Sequence, residues 1–170
     1  MTDFLTQAIA TLAATPEQAA ALIRGLSEEQ LSWNPPSAQF SLRENIVHLR
    51  DIDVEGYLER VRLMLDQDHP TLPDLDGAKL ARERKYNSQP VHPALEDMRA
   101  ARATTFARLK ACSSPVLERT AEMQGVGSVN LQRLLELWME HDGAHLSDMA
   151  ELRRSLETGS EAASVQHQAA

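Results

Sequence analysis

The sequence predicts an all-α protein, an antiparallel four-helix bundle with a short extra helix in the connection over residues 70–90. Three observations predict it. Ala, Leu, Glu and Arg are plentiful while aromatics make up only 4%, a mix that loses little rotamer freedom in helices. Four long segments are separated by loops punctuated with Pro, Gly and Ser. No run of alternating, β-branched residues reads as a strand.

The first helical segment covers residues 3–25. Thr15-Pro16-Glu17-Gln18 lies inside it with the pattern of a helix start: Thr as cap, Pro at the first helical position, Gln at the third. A kink or two short helices in line are therefore expected. Ser27-Glu28-Glu29-Gln30 is a second capping pattern and opens a single turn before Trp33, after which Asn34-Pro35-Pro36-Ser37 forces a loop. Ser41-Leu42-Arg43-Glu44 is a cleaner capping box, and from there to about residue 67 only the tolerable Gly56 interrupts the second helix.

His69-Pro70, Leu72-Pro73 and Gly77 mark a loop, with a weak helical stretch at 78–86. Pro90 and Pro93 introduce the third helix, over 93–112, which Ser113-Ser114-Pro115 ends. A loop holding Gly125 and Gly127 leads to Ser128, the expected cap of a fourth helix that runs to about Glu157. The bundle domain thus spans 1–157. The small, polar residues 158–170 read as a disordered tail.

At 170 residues the chain suits one domain with a real core. Its net charge of -8 would repel phosphate backbones, so no nucleic-acid partner is expected. No apolar run of 18 residues exists, so no membrane span is expected. Met1-Thr2-Asp3-Phe4 lacks the basic start of a signal peptide. The single cysteine, Cys112, excludes an internal disulfide. Together these features read as a soluble, cytoplasmic protein.

Of the six histidines, His69 and His92 precede prolines in loops and His167 lies in the tail, and none of these suggests chemistry. His141 and His145 stand four apart in a strongly helical segment, so both rings share one face. That face also carries Leu131, Leu134, Trp138, Met149, Leu152 and Leu156, so it points into the bundle. Two imidazoles one turn apart can share a metal ion. The alternative is a pair of interior histidines, each hydrogen-bonded to a neighbour. Asp142 follows His141 where the zinc-protease motif needs Glu, which speaks against proteolysis.

His48, one turn into the second helix, shares its face with Glu44, Asp51, Ile52 and Glu55. It reads either as a solvated histidine among carboxylates or as a ligand at the rim of the bundle, where helix two meets helix four. Three neutral imidazoles would leave coordination positions open for water or substrate. Asp51, Glu55, Asp142 and Asp148 could hold the outer ring nitrogens.

The segment Ser41-Leu42-Arg43-Glu44-Asn45-Ile46-Val47-His48-Leu49-Arg50-Asp51 resembles the second helix of the DinB-like (YfiT-like) metalloenzyme family, and Leu134 through His145 resembles its His-x-x-x-His helix. Residues 81–89 and Gly125-Val126-Gly127 are similar to one branch of the family. The resemblance covers about residues 3–157. It implies a four-helix bundle, often a homodimer, with a three-histidine site for one divalent metal ion, nickel or zinc. By motif position the ligands would be His48, His141 and His145. Phe40 departs from the family's usual Trp, a change expected to alter packing only.

The resemblance further implies a metal-dependent enzyme acting on a small-molecule substrate, with a thiol-dependent transferase using a low-molecular-weight thiol as one form. No nucleophile with an adjacent base is apparent, and Cys112 has none beside it, so no catalytic residue is named. A non-enzymatic metal-binding or stress-response protein is the alternative. A plain helical interaction module would leave the histidines unused.

Overall fold

The structure is a computed structural model. It describes residues 3–112 and 114–168, with side chains except at 114 and 159–168. Four long helical rods make the bundle. The first is α1 (Asp3–Ile23). The second runs without a break through α3 (Leu42–Asp51), a π-helical turn (Ile52–Tyr57) and α4 (Leu58–Asp66). The third is α6 (Val91–Lys110) and the fourth α7 (Leu131–Gln168). Short helices α2 (Glu28–Ser32) and α5 (Gly77–Glu83) lie in the connections, α5 being the extra helix of the 70–90 segment. Of the tail expected over 158–170, residues 158–168 continue α7, and 169–170 lie outside the described residues.

The capping boxes at Ser27 and Ser41 form as the sequence implies, each Ser hydroxyl accepting from the third backbone N–H and each partner side chain accepting from the Ser N–H. Thr15-Pro16 does not open a new helix. α1 continues through Pro16, and the reason lies far away in sequence. Pro16 has no N–H to give the Leu12 carbonyl. Buried Arg102 of α6 donates to that carbonyl instead, from Nη1 at 2.5 Å. The Thr15 hydroxyl donates to Asp142 Oδ2 at 2.7 Å rather than capping.

The order of the rods follows from which residues share a core. One apolar half joins Leu5, Leu12, Tyr57, Met64, Leu109 and Trp138. The other joins Ile23, Ile46, Leu49, Leu95, Met149 and Leu152. So α1 and α7 run from the first half to the second, while α3–α4 and α6 run from the second to the first. The bundle is up-down-down-up. Two rods point each way, and α1 packs chiefly on α6 and α7, leaving the second rod diagonal to it.

This order explains the long connection between the second and third rods. Both run in the same direction, so residues 67–90 must travel back along the outside of the bundle. The segment begins with β1 (Thr71–Leu72) and passes α5 and a 3-10 turn (Tyr86–Ser88) before α6. Arg60 Nε donates to the Pro73 carbonyl, and Arg84 pairs with both Asp51 and Glu55. These contacts tie the crossover down.

A small sheet modifies the all-helical expectation without changing the class. β1 pairs in parallel with β2 (Thr120–Met123), which pairs antiparallel with β3 (Gly127–Asn130). Strands of two to four residues are too short to show alternation. Gly125 and Gly127 have φ of +78° and +93°, which a residue with a Cβ rarely adopts, and they turn the β2–β3 hairpin. Because Ser128 lies inside β3, the cap of α7 is Asn130, whose Oδ1 accepts from Arg133 N at 2.8 Å. The leucine, tryptophan and methionine stripe predicted for this helix is buried through Leu152.

Candidate metal centre

A polar layer crosses the waist of the bundle between the two apolar halves, with side chains from all four rods: Thr15, His48, Asp53, Arg102, His141, Asp142 and His145. The π-helical turn helps to build it. An extra residue in one turn shifts the helix phase, and here Asp53 and Tyr57 both face inward and are buried.

His48, His141 and His145 converge on one side of this layer, with one ligand atom from each lying within 4.8 Å of the others. His48 Nε2 faces His141 Nε2 at 3.1 Å. The ring centroids of His145 lie 4.5 Å from those of both other histidines. His48 is only 6% exposed, so the polar sequence of its helix face misleads. That face is polar because it meets the crossover: Asp51 accepts from Tyr86 Oη and Arg84 Nη1, both at 2.6 Å. The histidine is neither solvated nor at an open rim.

Burial and the two neighbouring imidazoles lower the pKa of His48 to about 3. Burial and His141 lower that of His145 to about 4. Both rings are therefore neutral at physiological pH, the form that ligates a metal.

The geometry fits a metal ion. Two metal–nitrogen bonds of about 2.0–2.1 Å place their nitrogens roughly 3.3 Å apart at a tetrahedral angle and roughly 2.9 Å apart at a right angle. The 3.1 Å between His48 and His141 lies between these values. Neither imidazole has another partner: Nδ1 of each is buried without a hydrogen bond.

Outer partners differ among the three rings. His145 Nδ1 lies 2.8 Å from Asn45 Oδ1, which leaves Nε2 free. Asn45 is a partner that the sequence reading missed; its only signal was its place three residues before His48. His141 Nδ1 lies 3.7 Å from Asp142 Oδ1, beyond hydrogen-bond reach, and that oxygen is itself unpaired. Asp142 Oδ2 is held by Thr15 and Arg102. Asp51 and Glu55 turn to the crossover, and Asp148 lines an outer cavity, so these three do not bond to the imidazoles. Phe40 stands against the site, its ring centroid 5.1 Å from His48 and 6.1 Å from His145.

Beyond the histidines the layer is an ion network. Arg102 Nε donates to Asp53 Oδ2 at 2.6 Å and its Nη2 to Asp53 Oδ1 at 3.1 Å. Its Nη1 lies 2.7 Å from Asp142 Oδ2. Trp138 Nε1 donates to Asp53 Oδ1 at 2.9 Å. One guanidinium faces two carboxylates, and desolvation pushes Asp53 up to about 7 despite the arginine.

His69 and His92 stay apart from this cluster. His69 Nδ1 is 3.0 Å from the Thr120 hydroxyl, and the side chain of His167 lies outside the described residues. Cys112 is half-buried at the end of α6, its Sγ 3.3 Å from the Arg108 carbonyl.

A four-rod bundle of this order, with three convergent imidazoles at its waist, defines a histidine-centred helical-bundle protein. Residues 11–149 match the DinB superfamily, and the chain belongs to it. A Geobacillus kaustophilus protein named "Putative metal-dependent hydrolase GK0616" is 24% identical over 147 residues, covering 86% of this chain and 82% of its own. YfiT from Bacillus subtilis, described as "a probable metal-dependent hydrolase with an unusual four-helix bundle topology", superposes with a TM-score of 0.84 at 17% identity, over 92% of this chain and 90% of its own. That likeness concerns the fold. Among the described residues no helix is long and apolar enough to cross a membrane.

Proposed function

We propose that the protein is a metal-dependent hydrolase of a small molecule, with one divalent cation held by His48, His141 and His145. The observation that carries the reading is the meeting of the His48 and His141 Nε2 atoms at 3.1 Å, with Nδ1 of each ring making no hydrogen bond. The name of the Geobacillus relative supports the reaction class. A cation bound there supplies Lewis acidity and makes a nucleophile available near neutral pH. The chain's own part is to keep His48 and His145 uncharged, to orient His145 through Asn45, and to set the carboxylate of Asp142 beside His141.

A cavity of about 300 Å³ lies beside the cluster, lined among others by Phe40, Asn45, Asp148, Glu151 and Leu152. Asp148 is one turn beyond His145 on α7, and Asn45, which also lines the cavity, lies 2.8 Å from His145 Nδ1, so the cavity adjoins the centre. Carboxylates and no cationic side chain line this cavity. It therefore suits a neutral or cationic substrate better than an anionic low-molecular-weight thiol, and hydrolysis better than thiol transfer.

Nickel and zinc are the ions to test first, since imidazole suits both. The experiment is metal analysis of protein purified without a histidine tag, followed by anomalous scattering from metal-loaded crystals. One equivalent in the wild type, lost in His141→Ala, supports the reading. Equal, substoichiometric metal in both proteins overturns it.

A further inference from the structure

His145 is oriented by Asn45, and Asp142 Oδ1 stands 3.7 Å from His141 Nδ1, too far for a hydrogen bond. His48 Nδ1 is likewise buried without a hydrogen bond, and among the described residues no carboxylate pairs with it. Something else fixes its ring. Against the ring lies Gly77, the first residue of α5 in the crossover. A Cβ built on Gly77 would lie 2.9 Å from His48 Nδ1 and 3.6 Å from Nε2, with Cε1 nearer still. Real Cβ atoms essentially never approach so closely. The remaining sides of the ring are taken by Phe40, His141 and His145.

We infer that Gly77 is a positioning residue for His48: its bare backbone forms the seat against which the imidazole is held with Nε2 toward the other two histidines. The crossover is thus a wall of the centre and not a mere linker. Position 77 cannot back away easily. Asp51 and Glu55 hold Arg84, Tyr86 donates to Asp51, and Arg60 donates to the Pro73 carbonyl. Leu75 is also fixed, its Cδ1 packed so closely over Gly56 that a Cβ there would sit 3.1 Å away. With the strap anchored on both sides of Gly77, an added methyl must displace the ring.

The requirement is specific to the site. Gly77 opens a helix, where Ala is the better residue on propensity alone, and its backbone needs no positive φ, unlike Gly25, Gly125 and Gly127. Only the imidazole beneath it explains a missing side chain.

The inference rests on the metal-centre reading, and the test separates the two. Zn²⁺ is titrated against a chromophoric chelator with wild type, Gly77→Ala, His48→Ala and the double variant, and thermal melting of each metal-free protein is recorded. Failure of the wild type to bind Zn²⁺ removes the metal centre itself. Given binding, Gly77→Ala is expected to weaken affinity about 10–100-fold, the range for groups that orient a ligand. In the His48→Ala background the same substitution is expected to change affinity by less than about twofold, because the ring through which it acts is gone.

Melting keeps the inference testable if Gly77→Ala folds poorly. The Gly77→Ala substitution is expected to lower the melting temperature in the wild type and not in His48→Ala, where the vacated space receives the methyl. Wild-type affinity in Gly77→Ala, or equal losses in both backgrounds, overturns the inference.

Discussion

The polar layer at the waist of the bundle has two halves that are finished differently. On one side Arg102, Asp53, Asp142, Thr15 and Trp138 bond almost wholly to one another. On the other side three imidazoles meet with ring nitrogens left over. Both halves are costly to bury. A buried polar group with a partner supports the fold, while one without a partner in the protein points to a partner from outside. The two halves touch at residues 141 and 142, so one helical step carries the change from architecture to chemistry.

Breaking the ionic half should cost the most. Arg102→Met leaves Asp53 and Asp142 buried without their cation and opens the bond to the Leu12 carbonyl. Chemical denaturation is expected to show a loss of about 3–5 kcal/mol. A loss below about 1 kcal/mol would mean that the network is solvated in solution.

The histidine half should respond in the opposite way. His48→Ala and His145→Ala are each expected to weaken divalent-metal affinity by more than about 100-fold, roughly 2.7 kcal/mol or more, while far-UV circular dichroism stays unchanged. Unfolding with affinity retained would reverse the assignment of the two halves.

A titration distinguishes them further. The pKa values of His48 and His145 in the folded protein, about 3 and about 4, lie below the ordinary 6.5. As pH falls through 6.5 the unfolded chain takes up these protons first, so their contribution is complete above that pH and is lost progressively below it. For the metal-free protein the two groups together are expected to remove about 1.5 kcal/mol between about pH 7.5 and about pH 6. Asp53 has the opposite slope. Its pKa is raised from 3.8 to about 7, so stability from that group falls as pH rises between those values. His48→Ala should flatten the acid-side decline and Asp53→Asn should steepen it, as read from denaturant midpoints across pH.

The smallest effect tests independence. Asn130→Ala removes the cap of α7, and a loss of about 1 kcal/mol is expected. Metal affinity should be unaffected, since the cap lies 11 residues before His141.

How much of this was legible depends on the range of the interactions concerned. The Ser41 box and the His141/His145 pair are local patterns, and both give the right helix and the right face. The helix face of His48 leaves a solvated and a ligand reading open, and the family resemblance implies the ligand. The same local logic leaves a kink or a second helix start open at Thr15-Pro16, and the helix continues because the group that satisfies the Leu12 carbonyl, Arg102, is 86 positions from Pro16. That logic also offers Asp51 and Glu55 as groups that could hold the outer ring nitrogens, although the crossover claims both. Asn45 and Gly77 were missed for one reason: a short amide and an absent side chain look ordinary until the ring each one touches is in place.

During synthesis α1 emerges long before α6 and α7, the rods on which it chiefly packs. Thr15 and Asp142 are separated by 127 positions and His48 and His141 by 93. A nascent chain therefore carries an apolar α1 and an isolated imidazole until the last rod has left the ribosome. α7 brings His141 and His145 to His48, so a product truncated before residue 141 carries only one of the three imidazoles.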